Sequence, residues 1–198
     1  MPDTQRLFIA IPVPPETRDQ VRELIEPIRA QPFGAAPRWV HLDTLHVTLR
    51  FLGDAPADEV PDVAQAVLAA VGETFAFDVR LAGAGAFPLH GRKVRALWLG
   101  IADGASELAR LSAALTERLA LLGWPADVKP FAPHLTVART DRASILDGAL
   151  ASQALEAAAG DWSTTFQAQA VVLYHSILGG SPPRHDPIET VVLRASAG

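Results

Sequence analysis

Runs with strand character alternate along the chain with stretches whose apolar residues recur every three or four positions. RLFIAIPV (6–13) is rich in β-branched and aromatic residues and is stopped by proline, so it predicts a strand. Val21, Leu24, Ile25 and Ile28 then share one side of a predicted helix that Pro27 should kink or end. A Pro/Gly stretch, QPFGAAP, leads through RWV to LHVTLRFLG (45–53), which alternates like a strand. Gly53, Asp54 and Pro56 mark the turn into a second helix carrying Val60, Val63, Val67 and Val71, and FAFDVRLAGAGAF (75–87) reads as a strand with a glycine-weakened end. VRALWLGI (94–101) is again strand-like. Leu108, Leu111, Leu115, Leu119 and Leu122 mark an amphipathic helix with Asp103 or Ser106 as its expected N-cap. GWPADVKPFAP (123–133) leads into the strand HLTVAR. An Ala-rich helix over 144–158, a strand over 166–177, a Gly/Pro loop and a last strand over 188–193 complete the prediction.

The two halves share one order of elements, strand, helix, strand, helix, strand. An offset of 88 residues carries His46 to His134, Ile9 to Leu97 and Ile11 to Leu99. This predicts an internal duplication, one copy over about 6–87 and the other over about 94–177, with the 188–193 strand appended. Two copies of this length suggest paired lobes within a single domain spanning 1–198, and a pseudo-twofold axis would bring equivalent strands to one shared groove.

Composition narrows the class. Hydrophobic residues fill 49% of the 198 positions, enough for a substantial core. The absence of cysteine removes disulfides, thiolate nucleophiles and thiolate metal sites, and agrees with the cytoplasmic location expected here. The apolar run Leu7 to Ile11 is short, follows Arg6 and is broken by Pro12 and Pro14, so no secretory signal is expected, and no stretch is long enough to span a bilayer. A net charge of −5 argues against coating long nucleic acid, because that binding counts phosphates neutralised by Lys and Arg. A short or terminal nucleic-acid substrate remains open. The chain is expected to act as a monomer without an obligatory protein partner.

The chemistry concentrates in two tetrapeptides, His46-Val47-Thr48-Leu49 and His134-Leu135-Thr136-Val137. With 6 His and 11 Thr in 198 residues, chance placement gives about a third of one His-x-Thr triplet; two occur, at equivalent points of the repeat. Strand alternation puts His and Thr on one face, about 6.6 Å apart, and the apolar residues on the other. Two such strands lining a groove would converge two imidazoles and two hydroxyls on a space the size of a phosphate. A neutral imidazole can take a proton from attacking water, a protonated one can supply a proton to the departing oxygen, and threonine hydroxyls can donate to non-bridging oxygens. No metal or other cofactor is required. A zinc site on His46 and His134 would need a further ligand that neither motif supplies at a usual spacing.

Arginines could hold the phosphate. Arg50 shares parity with His46 and Thr48, so it is expected to point into the groove; Arg139 lacks that parity with His134 and needs a bulge or a twisted strand end to reach the same space. His41, His90 and His175 have no such partners and read as structural or surface residues, and Arg92, Lys93 and Arg95 as a solvated basic loop.

RLFIAIPVP, RWVHLDTLHVTLRFLG, RALWLGI and KPFAPHLTVAR, in this order, resemble the blocks of the two-histidine phosphoesterases, and within them the RNA 2′,3′-cyclic phosphodiesterases formerly called 2′–5′ RNA ligases. The similarity covers nearly the whole chain. It implies an α+β fold, bilobal, built from duplicated β-α-β-α-β units with mostly antiparallel sheets around a central cleft. It also implies metal-independent hydrolysis of RNA ends, or of 2′,3′-cyclic nucleotides, to a 2′-phosphate. On this resemblance His46 is the proton donor to the leaving 3′ oxygen, His134 the proton acceptor that activates water, Thr48 and Thr136 bind the phosphate oxygens, and Arg139 holds substrate. SPPRHDPI departs from the pattern by placing His185 where relatives commonly carry tyrosine. Two other readings remain: a phosphate or RNA-end binding module without turnover, and 2′–5′ RNA joining as a side activity.

Overall fold

The computed structural model describes residues 3–89, 93–140, 142–177 and 183–195. His90 and Arg92 lie outside the described residues. Nine strands, β1 (Thr4–Pro12), β2 (Arg38–Trp39), β3 (His46–Pro56), β4 (Phe77–Phe87), β5 (Ala96–Asp103), β6 (His134–Arg139), β7 (Ser163–Ala168), β8 (Ala170–Ile177) and β9 (Arg184–Val192), form one continuous sheet. Among the described residues four α-helices, α1 (Pro15–Arg29), α2 (Val60–Val71), α3 (Ala105–Ala120) and α4 (Ile145–Ala158), occupy the predicted connections. Among the described residues no helix is long and apolar enough to cross a membrane.

The sheet order is β7-β4-β5-β6-β3-β1-β8-β9, with β2 pairing β6, and neighbouring strands pair antiparallel. The two halves of the sheet meet at β3 and β6. The sheet halves differ from the chain halves. β4, which closes the first sequence half, pairs with β5 of the second, while β8 of the second pairs with β1 of the first. Each half of the chain thus lends its last strand to the other, which ties the halves into one core.

That core lies between the sheet and the helices. Alternate residues Leu7, Ile9 and Ile11 of β1, Val47 and Leu49 of β3, Leu97 and Leu99 of β5, and Leu135 and Val137 of β6 are buried together with Val21 and Ile25 of α1, Val63 and Val67 of α2, Leu108 and Leu115 of α3, and Leu155 of α4. Burial of each such side chain is worth roughly 1.5–3 kcal/mol.

Pro27 sits inside α1, which ends two residues later at Arg29; its missing N–H leaves the Glu23 carbonyl of the preceding turn without its helical donor. Two local expectations are corrected. The cap of α3 is Gly104, not Asp103 or Ser106: its φ of 83° is left-handed, and a Cβ there would lie 2.5 Å from the Asp78 carbonyl. The single strand expected over 166–177 is two strands broken at Gln169, whose carbonyl accepts from the Leu193 amide. α4 is capped by Ser144, whose hydroxyl accepts from the Asp147 amide.

Candidate active site

The sheet's junction places both His-x-Thr motifs side by side. Val47 pairs with Leu135, so the antiparallel register sets His46 across from Thr136 and Thr48 across from His134. The imidazoles are then diagonal neighbours, whose backbones in a regular sheet stand roughly 7–8 Å apart. Val47, Leu49, Leu135 and Val137 anchor the two strands in the core, while His46, Thr48, His134 and Thr136 are half-buried on the opposite face.

The 88-residue offset also holds in the strand pairing. On one side Pro12 pairs with His46, Ile11 with Val47 and Ala10 with Thr48; on the other, 88 residues on, Gly100 pairs with His134, Leu99 with Leu135 and Trp98 with Thr136. A bulge repeats as well. Ile9 pairs with Arg50, skipping Leu49, and Leu97 pairs with Ala138, skipping Val137. An extra residue inverts the alternation beyond it.

This bulge decides the two arginines. Arg50 shares its face with its cross-strand partner Ile9 in the core, not with His46, so the expectation that it points into the groove fails. Its guanidinium is 4% exposed, donates to the Pro125 carbonyl and lies 2.5 Å from the Asp127 carboxylate, gripping the loop that leads into His134. Arg139 instead shares the groove face with Ala96, and its charge reaches both His46 and His134. Exposed, and with no side-chain hydrogen bond or ion pair among the described residues, Arg139 is a cation available to an anion between the imidazoles.

Each histidine is fixed by its own loop. His46 Nδ1 lies 2.7 Å from the Thr44 carbonyl, and His134 Nδ1 lies 2.7 Å from the Ala132 carbonyl. A carbonyl can only accept, so Nδ1 carries the proton and Nε2 is left for chemistry in both rings. Burial pushes His46 from 6.5 down to about 4, against the carbonyl's opposing pull, with the His185 and Arg139 charges adding to the drop. His134 is lowered by the same three kinds of influence, burial first, then the Ala132 carbonyl in opposition, then Arg139. Neither threonine hydroxyl has a hydrogen-bond partner among the described residues.

Aromatic walls, unforeseen from the sequence, flank both imidazoles. Phe8 stacks on Tyr174 at 5.0 Å and touches His46 at 4.8 Å and His185 at 4.9 Å, while Phe87 meets His134 edge-on at 4.9 Å. Phe8 and Trp98 have groove-face parity by plain alternation with the core residues Leu7, Ile9, Leu97 and Leu99, which is the signal that could have found them. His185 lies 5.6 Å from His46, ring edge to face. His41 is exposed beside Asp43, His175 is half-buried on β8, and Lys93 and Arg95 are exposed.

The model of the 2′-5′ RNA ligase superfamily matches residues 14–177. The chain belongs to this superfamily. It is 30% identical to the RNA 2′,3′-cyclic phosphodiesterase of Escherichia coli over 96% of this chain and 97% of that one. It is 32% identical to the protein of the same name from Geobacillus stearothermophilus over 88% of this chain, spanning 53% of that relative's length. Among solved structures, Escherichia coli LigT complexed with NADP+ superposes with a TM-score of 0.74 at 26% identity, covering 96% of this chain and 99% of that one. A Thermus thermophilus protein gives the same TM-score and identity over 97% and 100%.

Proposed function

We propose that this superfamily member hydrolyses RNA 2′,3′-cyclic phosphate ends to the 2′-phosphomonoester by paired-histidine acid–base catalysis. The observation that carries the reading is the juxtaposition, across one strand pair, of two carbonyl-oriented imidazoles with two threonine hydroxyls and the Arg139 guanidinium, none of these last three partnered among the described residues. The names of the superfamily relatives support it.

Water attacks phosphorus as His134 Nε2 takes its proton. The bond from phosphorus to O3′ breaks, His46 Nε2 delivers a proton to that oxygen, and the phosphate stays on O2′. Thr48, Thr136 and Arg139 hold the non-bridging oxygens, whose charge grows in the transition state. A proton returns from His134 to His46 through solvent to close the cycle.

The test offers an oligonucleotide ending in a 2′,3′-cyclic phosphate, with EDTA present, to wild type, His46→Ala and His134→Ala. Unchanged wild-type turnover and a loss of roughly 10²–10⁴-fold in each variant are expected. Activity abolished by chelation, or retained in both variants, would overturn the mechanism. Tight binding of the oligonucleotide without product would favour a non-catalytic module.

A further inference from the structure

Beside His46 lies a cavity of about 60 Å³ that the reaction above does not use, lined by Arg18, Asp43, Thr44, Tyr174 and His185 as well as His46 itself. Arg18 is held in place by its Nε, which donates to the Val13 carbonyl at 2.6 Å, and its Nη1 lies 3.7 Å from the Asp43 carboxylate. Its charge is felt at the Tyr174 hydroxyl, which burial nonetheless keeps in the protonated, donating form. That hydroxyl has no hydrogen-bond partner among the described residues, and the His185 ring lines the same cavity. A guanidinium, a phenol and an imidazole therefore converge, with the exposed Asp43 as the counter-charge at the rim. Such a cavity suits an anion.

The chemistry supplies one. O3′, which leaves, and O2′, which keeps the phosphate, belong to a single ribose, so the nucleoside must stand on the side of the phosphate where O3′ is protonated. That is the His46 side. In an RNA end this nucleoside carries a second anion, its 5′-phosphodiester, whereas a 2′,3′-cyclic mononucleotide carries none. We propose that the Arg18, Tyr174 and His185 cavity binds the 5′-phosphate of the nucleoside whose cyclic phosphate is opened, making the site selective for RNA ends over cyclic mononucleotides. This rests on the assignment of His46 to the leaving oxygen.

The experiment compares kcat/KM for adenosine 2′,3′-cyclic phosphate, the same compound bearing a 5′-phosphate, and the dinucleotide ApA ending in the cyclic phosphate. Wild type is expected to favour both 5′-phosphate-bearing substrates by about tenfold or more, as one charge-assisted contact can supply. Arg18→Gln should bring that ratio close to one, Tyr174→Phe should lower it, and Asp43→Asn, which frees the guanidinium of its competitor, should raise it. Each ratio is internal to one protein, so a general loss of folded enzyme does not move it. A wild-type ratio near one, a gain confined to ApA (a contact to the second base), or a ratio unmoved in both Arg18→Gln and Asp43→Asn overturns the proposal. Failure of wild type on all three substrates, or full activity in His46→Ala, instead brings down the reading on which it rests.

Discussion

The strand pair carrying His46 and the pair carrying His134 have the same backbone and different surroundings. Their pairing partners match at an offset of 88 residues through the bulge that skips Leu49 and Val137. Immediately beyond it the sequences part: Arg50 and Phe51 in the first copy, Ala138 and Arg139 in the second. Since the bulge turns the first residue of each pair into the core and the second into the groove, the two copies deliver one buried cation, one groove cation and one exposed phenyl ring. A matched scaffold thereby yields an asymmetric site, as the proposed acid–base roles of the two histidines require. The surroundings sharpen the difference, because His46 sits under Phe8 with the third imidazole, His185, 5.6 Å away, whereas His134 meets Phe87 and has no ring contact with a third imidazole among the described residues.

The largest way to break the comparison is to remove the imidazoles together. If they act as one unit, the double variant His46→Ala/His134→Ala should turn over within about tenfold of the worse single variant, well short of the product of two separate losses. Single-turnover assays on cyclic-phosphate-ended RNA measure this, and multiplicative losses would show that the two rings work independently.

The arginines come next. Arg139→Met should lower kcat/KM by roughly 10–100-fold, the worth of one charge-assisted hydrogen bond, with little change in denaturation midpoint. Arg50→Met should do the reverse, leaving kcat/KM within about threefold and costing roughly 1–3 kcal/mol in urea unfolding, because the loop at Pro125 and Asp127 loses its grip while Asp127, already exposed, remains solvated. A large KM effect at Arg50 would show that the bulge does not divide the two residues as described.

How much of this was legible in the sequence depends on the distance over which the information acts. Periodicity located the helices, because a stripe such as Leu108, Leu111, Leu115 and Leu119 is a local property of one element. The His-x-Thr pairs were legible because they repeat. Strand partners were not: nothing in the alternation of FQAQAVVLYHSI says that its start pairs with β4 and its end with β1, at opposite flanks of the sheet. The bulge was foreseen only as a condition on Arg139, and without its position parity misassigned Arg50. The aromatic walls assemble from four strands, so no window of sequence contains them.

The smallest effects concern protons and test the unequal burial of the two rings. A group whose folded pKa is depressed makes the unfolded chain the better proton acceptor between the two values, so stability falls as pH drops. For His46 the window runs from 6.5 down to about 4 and is worth at most about 3 kcal/mol. Above 6.5 the contribution is complete. His46→Gln should therefore flatten the acid limb of a urea-midpoint profile in that window, and a limb of unchanged slope would contradict the burial. In kcat/KM, a required pair of one charged and one neutral imidazole gives a bell whose limbs both lie below 6.5, since both rings are lowered. His185 is only the third influence on His46, behind burial and the Thr44 carbonyl, and its charge acts in the lowering direction. His185→Gln should accordingly raise the His46 pKa by less than about one unit in an NMR titration and leave His134 unmoved. A drop, or an equal shift at both rings, would mean that the third imidazole acts on the groove as a whole and that the two copies are less distinct than their walls imply.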